Sequence, residues 1–354
     1  MKTKIILAII AAVMFVAGSV SDTEEKADKI KPTEAPVVTQ VPVRTLKVTA
    51  VGDCTFATDI NASRELGFVT YAEDKGYDYF FEKVRPVFED DDLTIVNFEG
   101  TLSERGERAD KLFAFRGDPE YVRILSGSSV EAVNLANNHS SDYGSVSLSD
   151  TREIMEENSI LTCRGEENVT VSEINGIKVG LVGINYLNDQ MKTELDAAIN
   201  KAQDMGAELT VLSIHWGQEK DTSANDDQIE AAHRAIDLGA DLVIGTHPHV
   251  LQGVEKYKGR YICYSLGNFS FGGNNSPSDR DSAIFTQTFT LNGTEIEDDD
   301  AVEIIPCRIS GEGSYNNYQP VIAEGERRER IIERIEEYTK ELGELELNFY
   351  EGIG

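Results

Sequence analysis

Short apolar runs recur along the chain, and each stops at a turn rich in Asp, Asn or His. Leu46–Val51 alternates apolar and polar positions as a half-buried strand does, and Gly52-Asp53 follows at its end. Leu93–Val96 leads into Asn97-Phe98-Glu99-Gly100, and Val130–Leu135 into Ala136-Asn137-Asn138-His139 with Asp142 close behind. Leu209–Ile214 ends in His215-Trp216-Gly217-Gln218-Glu219, and Asp241–Ile244 in Gly245-Thr246-His247-Pro248-His249. Continuous apolar runs of this length fit strands buried on both faces.

Between these runs the period changes. Leu148–Glu157, Gln190–Met205, Asp226–Leu238 and the charged stretch Glu324–Leu342 read as helices, with a further helical segment around Tyr79–Phe88. Asn175-Gly176 between Val169–Ile174 and Ile177–Ile184 is a hairpin signal, and Lys258-Gly259 marks a second. Ser282–Leu291 and Ala301–Ile309 alternate as antiparallel strands. Strands interleaved with helices, then a group of strands, predict an α/β fold with mixed sheets and no internal repeat.

The ends of the chain read differently. Lys2 and Lys4 precede the uncharged apolar run Ile5–Val20, which predicts a signal peptide or membrane anchor over residues 1–21. The basic flank keeps that end inside the cell, so the bulk of the chain is expected on the extracellular face of the membrane or secreted. Residues 22–44, punctuated by Pro32, Pro36 and Pro42, are expected to be a disordered linker. One domain is expected over 45–347, followed by a flexible tail over 348–354.

Charge narrows the partners. Lys plus Arg is 33 against 63 Asp plus Glu, a formal net charge of −30. That balance excludes nucleic acid as a general partner, because phosphate backbones are held by clustered cations. A polyanionic substrate would need a local cationic site, which bound metal could supply. Cys54, Cys163, Cys263 and Cys307 form no Cys-x-x-Cys pair, which excludes the common zinc-finger and thioredoxin patterns and fits buried thiols.

Four of the five histidines sit in strand-end turns. Ligands collect beyond the carboxyl ends of strands in α/β sheets, so Asp53, Glu99, Asn138, His215, His247 and His249 form a candidate metal set. Carboxylate, imidazole and amide donors without thiolate suit divalent Mn, Zn, Fe or Mg. His139 is a candidate catalytic acid, held as imidazolium by Asp142. His247 and His249 would face opposite ways in a regular strand and reach one site only from an irregular segment, so a loop is expected there. Arg116 is a candidate fork for a substrate carboxylate or phosphate, with Glu219 and Asn268 as further substrate-side groups. Trp216 is expected in the core and His233 on a helix face. No Gly-x-Ser-x-Gly elbow is present, which argues against a covalent mechanism.

Gly52-Asp53, Asn97-Phe98-Glu99-Gly100, Asn134–His139 with Asp142-Tyr143-Gly144, His215-Trp216-Gly217 with Glu219, Gly245-x-His247-Pro248-His249-Val250-Leu251-Gln252-Gly253 and Ser265–Phe269 occur in that order. Together they resemble the CapA (PgsA) family of poly-γ-glutamate capsule synthesis proteins, across about Leu46–Phe271. That family is similar in turn to the calcineurin-like metallophosphoesterases. The resemblance implies a four-layer αββα metallophosphoesterase-like sandwich with mixed sheets. It also implies an exported, membrane-tethered protein whose partners are an anionic polyglutamate polymer or its synthase complex. By the same resemblance Asp53 and His249 hold one metal, His215 and His247 the second, Glu99 bridges them, Asn138 supplies an amide ligand, and His139 protonates the leaving group.

The chain departs from the phosphoesterase pattern Asp-x-His at Asp53-Cys54-Thr55, which has no histidine. Three functions follow as expectations: a metal-dependent hydrolase, a non-catalytic polymer-binding or scaffold component of the capsule synthase, and an extracellular phosphoesterase.

Overall fold

The computed structural model describes residues 42–62, 65, 67–297 and 301–352. The leader expected over 1–21, and the linker expected over 22–44 up to residue 41, lie outside the described residues. Among the described residues no helix is long and apolar enough to cross a membrane.

The first half of the chain runs β1 (Val43–Thr55), α1 (Phe68–Lys75), α2 (Arg85–Phe88), β2 (Leu93–Phe98), β3 (Thr101–Leu102), β4 (Arg116–Gly117), α3 (Val122–Ser126), β5 (Ala132–Asn134), α4 (Ser145–Glu157) and β6 (Leu161–Cys163). It continues with β7 (Thr170–Ile174), β8 (Ile177–Asn185), α5 (Asp189–Asp204), β9 (Leu209–His215), α6 (Asp226–Asp237) and β10 (Leu242–Thr246). The chain closes with β11 (Val254–Tyr257), β12 (Arg260–Cys263), β13 (Asn268–Phe271), β14 (Asp281–Asn292), β15 (Glu295–Ile296), β16 (Val302–Arg308), β17 (Val321–Ile322) and α7 (Gly325–Leu342).

These strands form two large mixed sheets. One has the order β17-β16-β14-β1-β2-β5-β6, with β13 also on β1 and β15 on β14; the other has the order β11-β12-β10-β9-β8-β7. In the central strands successive side chains enter different layers, as the two-residue period of a strand requires. Leu209 and Val211 of β9 pack between the sheets with Val48, Ala50 and Ile95, while Leu212 and Ile214 pack under α5 and α6 with Leu195, Ala198 and Ala235. Val51, Val96 and Val133 of the first sheet turn outward onto Phe68, Ile124 and Met155 of α1, α3 and α4. The result is the four-layer αββα sandwich, helices on sheet on sheet on helices.

Helix α7 closes one edge of the sandwich. Its buried stripe, Ile331 and Ile335, joins the layer between the sheets, and the Thr339 hydroxyl accepts the amide of Val254 at 3.1 Å. Three local expectations are revised. Around Tyr79–Phe88 only the single turn α2 and a 3-10 turn at Tyr77–Tyr79 form, because three phenylalanines there are spent on aromatic packing instead of one helical stripe. Ordered strand begins at Val43, with Arg44 paired to Glu208 at 2.7 Å, so the last linker residues join the domain. Asn348–Tyr350, expected within a flexible tail, bridge to Ile304 through main-chain bonds of 2.9 Å on either side.

Candidate metal centre

The two sheets present polar rows at corresponding ends. On the first, Asp53 of β1 stands opposite Asn97 of β2, which stands opposite Asn134 of β5. The side chains repeat the ladder: Asn97 Nδ2 donates to Asp53 Oδ1 at 2.8 Å, and Asn134 Nδ2 donates to Asn97 Oδ1 at 3.2 Å. A register shift between Val51 and Asp53 marks a bulge, a device that re-aims side chains at strand ends. On the second sheet His215 of β9 stands between Asn185 of β8 and Thr246 of β10.

Two glycines let other turns reach these rows. A Cβ on Gly52 would lie 1.9 Å from the carbonyl oxygen of Gly267, whose position allows the Asp53 amide to donate to that oxygen at 3.0 Å. A Cβ on Gly245 would lie 2.1 Å from the Tyr264 carbonyl and 2.4 Å from Trp216 Nε1. Glycine therefore brings β13 against β1, and the His247 turn against Trp216.

The turn after β10 is irregular, with φ of 96° at His247 and 58° at His249. Non-glycine residues in this region carry strain of about 1–3 kcal/mol each. Cross-links hold it: the His247 amide donates to Asp53 Oδ2 at 3.2 Å, the Lys220 amide to the Pro248 carbonyl at 2.7 Å, and Asn268 Nδ2 to the His249 carbonyl at 3.3 Å. The distortion puts both imidazoles on one site, with ring centres of His247 and His249 5.8 Å apart and those of His215 and His247 4.6 Å apart.

Most of the expected ligands converge. Donor atoms of Asp53, Glu99 and His215 lie within 4.8 Å of one another, as do those of Glu219, His247 and His249. His215 Nε2 is 3.0 Å from Asn138 Oδ1 and 3.6 Å from Glu99 Oε1, while His249 Nδ1 is 3.1 Å from Asp53 Oδ2 and 2.9 Å from Asn268 Oδ1. Glu219, expected on the substrate side, stands with the imidazoles as a further donor.

The electrostatics of this cluster favour a cation. Burial pushes the Glu99 carboxyl well above the usual carboxylate range, and the Asp53 charge adds to it. Burial would also raise Asp53, but the hydrogen bond and charge of His249 hold it below the ordinary range. Burial works to lower His249, yet Glu99, Asp53 and Glu219 together raise it to about 10. Burial and the neighbouring imidazolium push His247 down to about 4, and burial beside His247 depresses His215 strongly. The buried Glu99 Oε2 and His247 Nδ1 have no hydrogen-bond partner among the described residues. Two orphaned donors in a carboxylate field that holds a proton on His249 fit a divalent cation.

His139 differs from its expected state. Its Nδ1 lies 2.7 Å from Asp142 Oδ2, but burial lowers the imidazole below its ordinary value, and the Asp142 interaction does not offset this. Lys111 also lowers it, having placed Nζ 2.7 Å from Asp142 Oδ1 and 3.3 Å from His139 Nδ1. The shift favours the neutral ring, and in the tautomer that donates Nδ1–H to Asp142 the Nε2 is left as its acceptor. Asp142 also accepts the Phe115 amide at 2.7 Å, so it fixes the Phe113–Phe115 segment beside the ring.

A cleft of about 570 Å³ opens beside the cluster, lined by His139, Glu219, His249 and Asn268 together with Phe115 and Phe271. Arg116 does not line it. Its guanidinium lies 4.0 Å from the centre of the Tyr143 ring and donates to the Gly106 carbonyl, so stacking and a main-chain bond take the fork expected for substrate. Trp216 is buried, stacked on Tyr264 and bonded to its carbonyl at 2.9 Å, and His233 stacks on Tyr257. The four cysteines are buried and free. Asn97, Asn134 and Thr246 stand in the motifs read from the sequence but were given no role there, and Lys111 was not singled out; an asparagine inside an otherwise apolar buried strand, as at Asn97, was the available signal.

Residues 47–273 match the family model described as bacterial capsule synthesis protein PGA_cap. The chain is 31% identical over 261 residues to a Bacillus subtilis protein named PGA biosynthesis protein CapA, covering 68% of each. It is 31% identical over 266 residues to a capsule biosynthesis protein CapA of Bacillus anthracis, covering 68% of this chain and 63% of that one. A Mycobacterium tuberculosis protein named as a probable polyglutamine synthesis accessory protein is 26% identical, over 62% of this chain and 66% of its own. The chain thus spans about two thirds of the length of these relatives. Among solved structures, a hypothetical protein from Thermus thermophilus aligns with a TM-score of 0.47 at 14% identity, over 74% of this chain and 98% of that one.

Proposed function

The chain belongs to the bacterial capsule synthesis protein PGA_cap family, and from that premise we propose that it acts in making or exporting a poly-γ-glutamate capsule at the outer face of the membrane. In this reading the chain is tethered by its N-terminal segment and works on the polymer or within its synthase complex. The reaction class proposed is metal-dependent hydrolysis of an amide or ester bond in the nascent polymer.

One observation carries the reading: Asp53, Glu99 and His215 come from three strands in two sheets, yet bring donor atoms within 4.8 Å beside an open cleft. Asp53, Glu99, Asn138, Glu219, His215, His247 and His249 are the residues that would hold metal. A divalent ion there supplies Lewis acidity toward a carbonyl or phosphoryl oxygen and toward water. Thr246 orients His215 from the far side of its ring, at 3.1 Å on Nδ1, and Asn268 meets His249 at 2.9 Å on Nδ1, the nitrogen that also faces Asp53. Neutral His139, locked on Asp142, has its Nε2 lone pair available to take a proton. Phe115 and Phe271 flank His139 and His249 with ring centres at 4.6 and 5.0 Å, and limit water around both.

A second reading, a non-catalytic polymer-holding component, is favoured by the buried Thr55 standing where the phosphoesterase pattern has a histidine. The test is complementation of a capsule-forming strain lacking this chain. Wild type should restore polymer of normal amount and length, and His215→Ala with His247→Ala should not. Full restoration by that double variant would sink the metal-based reading, and restoration of amount with altered length would favour hydrolysis over holding. Cleavage of a chromogenic phosphate ester, lost on chelation, would move the assignment to a phosphoesterase.

A further inference from the structure

A second cavity, of about 580 Å³, adjoins the cleft of the metal centre and carries the opposite charge. It is lined by Lys220, Arg280, Arg308, Arg330 and Arg334 against only Asp279 and Asp281. Lys220, Val250, Ser278 and Asp279 line both spaces, so the two share a wall. Two of these, Lys220 and Val250, directly follow Glu219 and His249, which are candidate metal ligands.

The cations are not equally committed. Arg330 binds both oxygens of Asp281 at 3.2 and 2.6 Å, and Arg334 bridges Asp279 and Asp281 through bonds of 2.6 to 3.1 Å. Arg280 donates to the carbonyls of Gly313 and Ser314 at 2.7 and 2.9 Å. Arg308 stands opposite Asp281 across β14 and β16, but Arg330 and Arg334 have taken that carboxylate. Arg308 is only 7% exposed, and its Nε and Nη1 are buried without a hydrogen-bond partner among the described residues. Burial and the like charges of Arg327, Arg330 and Arg280 lower its affinity for its own proton. A buried guanidinium with unmet donors is an unfavourable arrangement that oxyanion acceptors would satisfy.

The geometry points to Arg308 as the centre of a carboxylate-binding subsite, with Arg280 and Lys220 beside it, that holds a segment of an anionic polyglutamate chain whose adjacent residues occupy the cleft of the metal centre. This rests on the polymer reading above. On a chain of net charge −30 a polyanion meets long-range repulsion, and a local cationic pocket is what lets it settle.

The test is binding of a fluorescent γ-linked glutamate oligomer to the full-length protein, by anisotropy at low salt. Wild type should bind. Arg308→Gln should weaken binding about tenfold or more, as loss of a charge-assisted pair does, with metal content unchanged. The more exposed Arg280→Gln should weaken it less, and a γ-linked glutamine oligomer should not bind. Melting curves of each variant establish that it folds; if Arg308→Gln fails to fold, Arg280→Gln paired with Lys220→Gln carries the test. Wild-type affinity in folded Arg308→Gln would overturn the subsite while leaving the capsule assignment intact. Inorganic phosphate displacing the oligomer at concentrations where free glutamate and acetate do not would overturn the carboxylate assignment. An oligomer that fails to bind wild type also overturns the subsite, and the capsule assignment then stands or falls on complementation by the metal-centre variant.

Discussion

The two adjoining cavities are nearly equal in volume, about 570 and 580 Å³, yet their charges are arranged by opposite means. The first opens beside a cluster of buried carboxylates and imidazoles from strand ends, held by main-chain and amide bonds, in which Glu99 Oε2 and His247 Nδ1 are the ligand atoms left unmet. The second collects guanidinium groups from the residue before β14, from β16 and from α7, and its unmet N–H donors belong to Arg308 and, at Nε alone, to Arg280. An incomplete donor set of negative and neutral groups attracts a cation, whereas an incomplete set of N–H donors attracts an anion. Side by side, they have the charges that the proposed ligand would need, with carboxylates at one and a scissile or coordinated bond at the other.

The sharpest way to break that contrast is to remove imidazoles from the cluster beside the first cavity. His247→Ala should weaken divalent-ion affinity by about 100-fold or more, since even outer partners of a metal ligand are worth about 10–100-fold. Metal analysis after dialysis and titration calorimetry check this. Equal metal content in His247→Ala and wild type would separate the cluster from any metal role.

Protonation gives a second way, because the cluster's imidazoles are shifted in opposite directions. His249 is raised from 6.5 to about 10, so in the metal-free protein the stability it contributes is fully present below about 6.5 and is lost as pH rises through about 10. His247 is lowered from 6.5 to about 4, so the unfolded chain takes up a proton in that window that the folded chain refuses, and stability falls as pH falls. Thermal melts of metal-free protein across pH should decline on both sides of neutrality. His249→Gln should flatten the alkaline side and also alter the acid side, since it removes the charge that helps depress His247; an unchanged alkaline slope would show that its proton is not linked to folding.

A smaller effect separates metal binding from stability. Buried Glu99 lies beside Asp53, with Oε2 unpaired. Glu99→Gln should weaken metal binding while raising the metal-free Tm by a few degrees, the scale of about 1 kcal/mol in a domain this large. A lower metal-free Tm would mean the carboxylate is already neutral and well bonded. The smallest shift is expected from Lys111→Met. Removing the cation 3.3 Å from His139 Nδ1 should raise the pKa of that imidazole, read by NMR titration, with metal affinity unchanged.

The two cavities also differ in how far they could be read from the chain. The strand-end turns were legible because a run such as Leu209–Ile214 ends visibly in His215-Trp216-Gly217, and because the His-Pro-His spacing required an irregular backbone. The α/β class followed from the same pattern of runs, and the four-layer sandwich was implied by the family resemblance. Arg116 was misplaced because nothing in Phe115-Arg116-Gly117 tells whether a guanidinium will find a substrate or the Tyr143 ring. The arginine cavity was invisible, since Arg280, Arg308 and Arg334 are separated by 28 and 26 positions and belong to no common motif.

Apolar periodicity and turn chemistry act between near neighbours, so the amino-acid order alone determined where the central strands stop, where the four long helices run and which turns carry metal-binding residue types. The charge state of each group was decided only by the tertiary structure. Desolvation depends on what packs over a side chain, and Coulomb interactions depend on which distant carboxylate or cation arrives within a few ångströms. That is why His139 could be located from the sequence as a partner of Asp142, while its neutrality had to wait for the burial of the ring and the approach of Lys111.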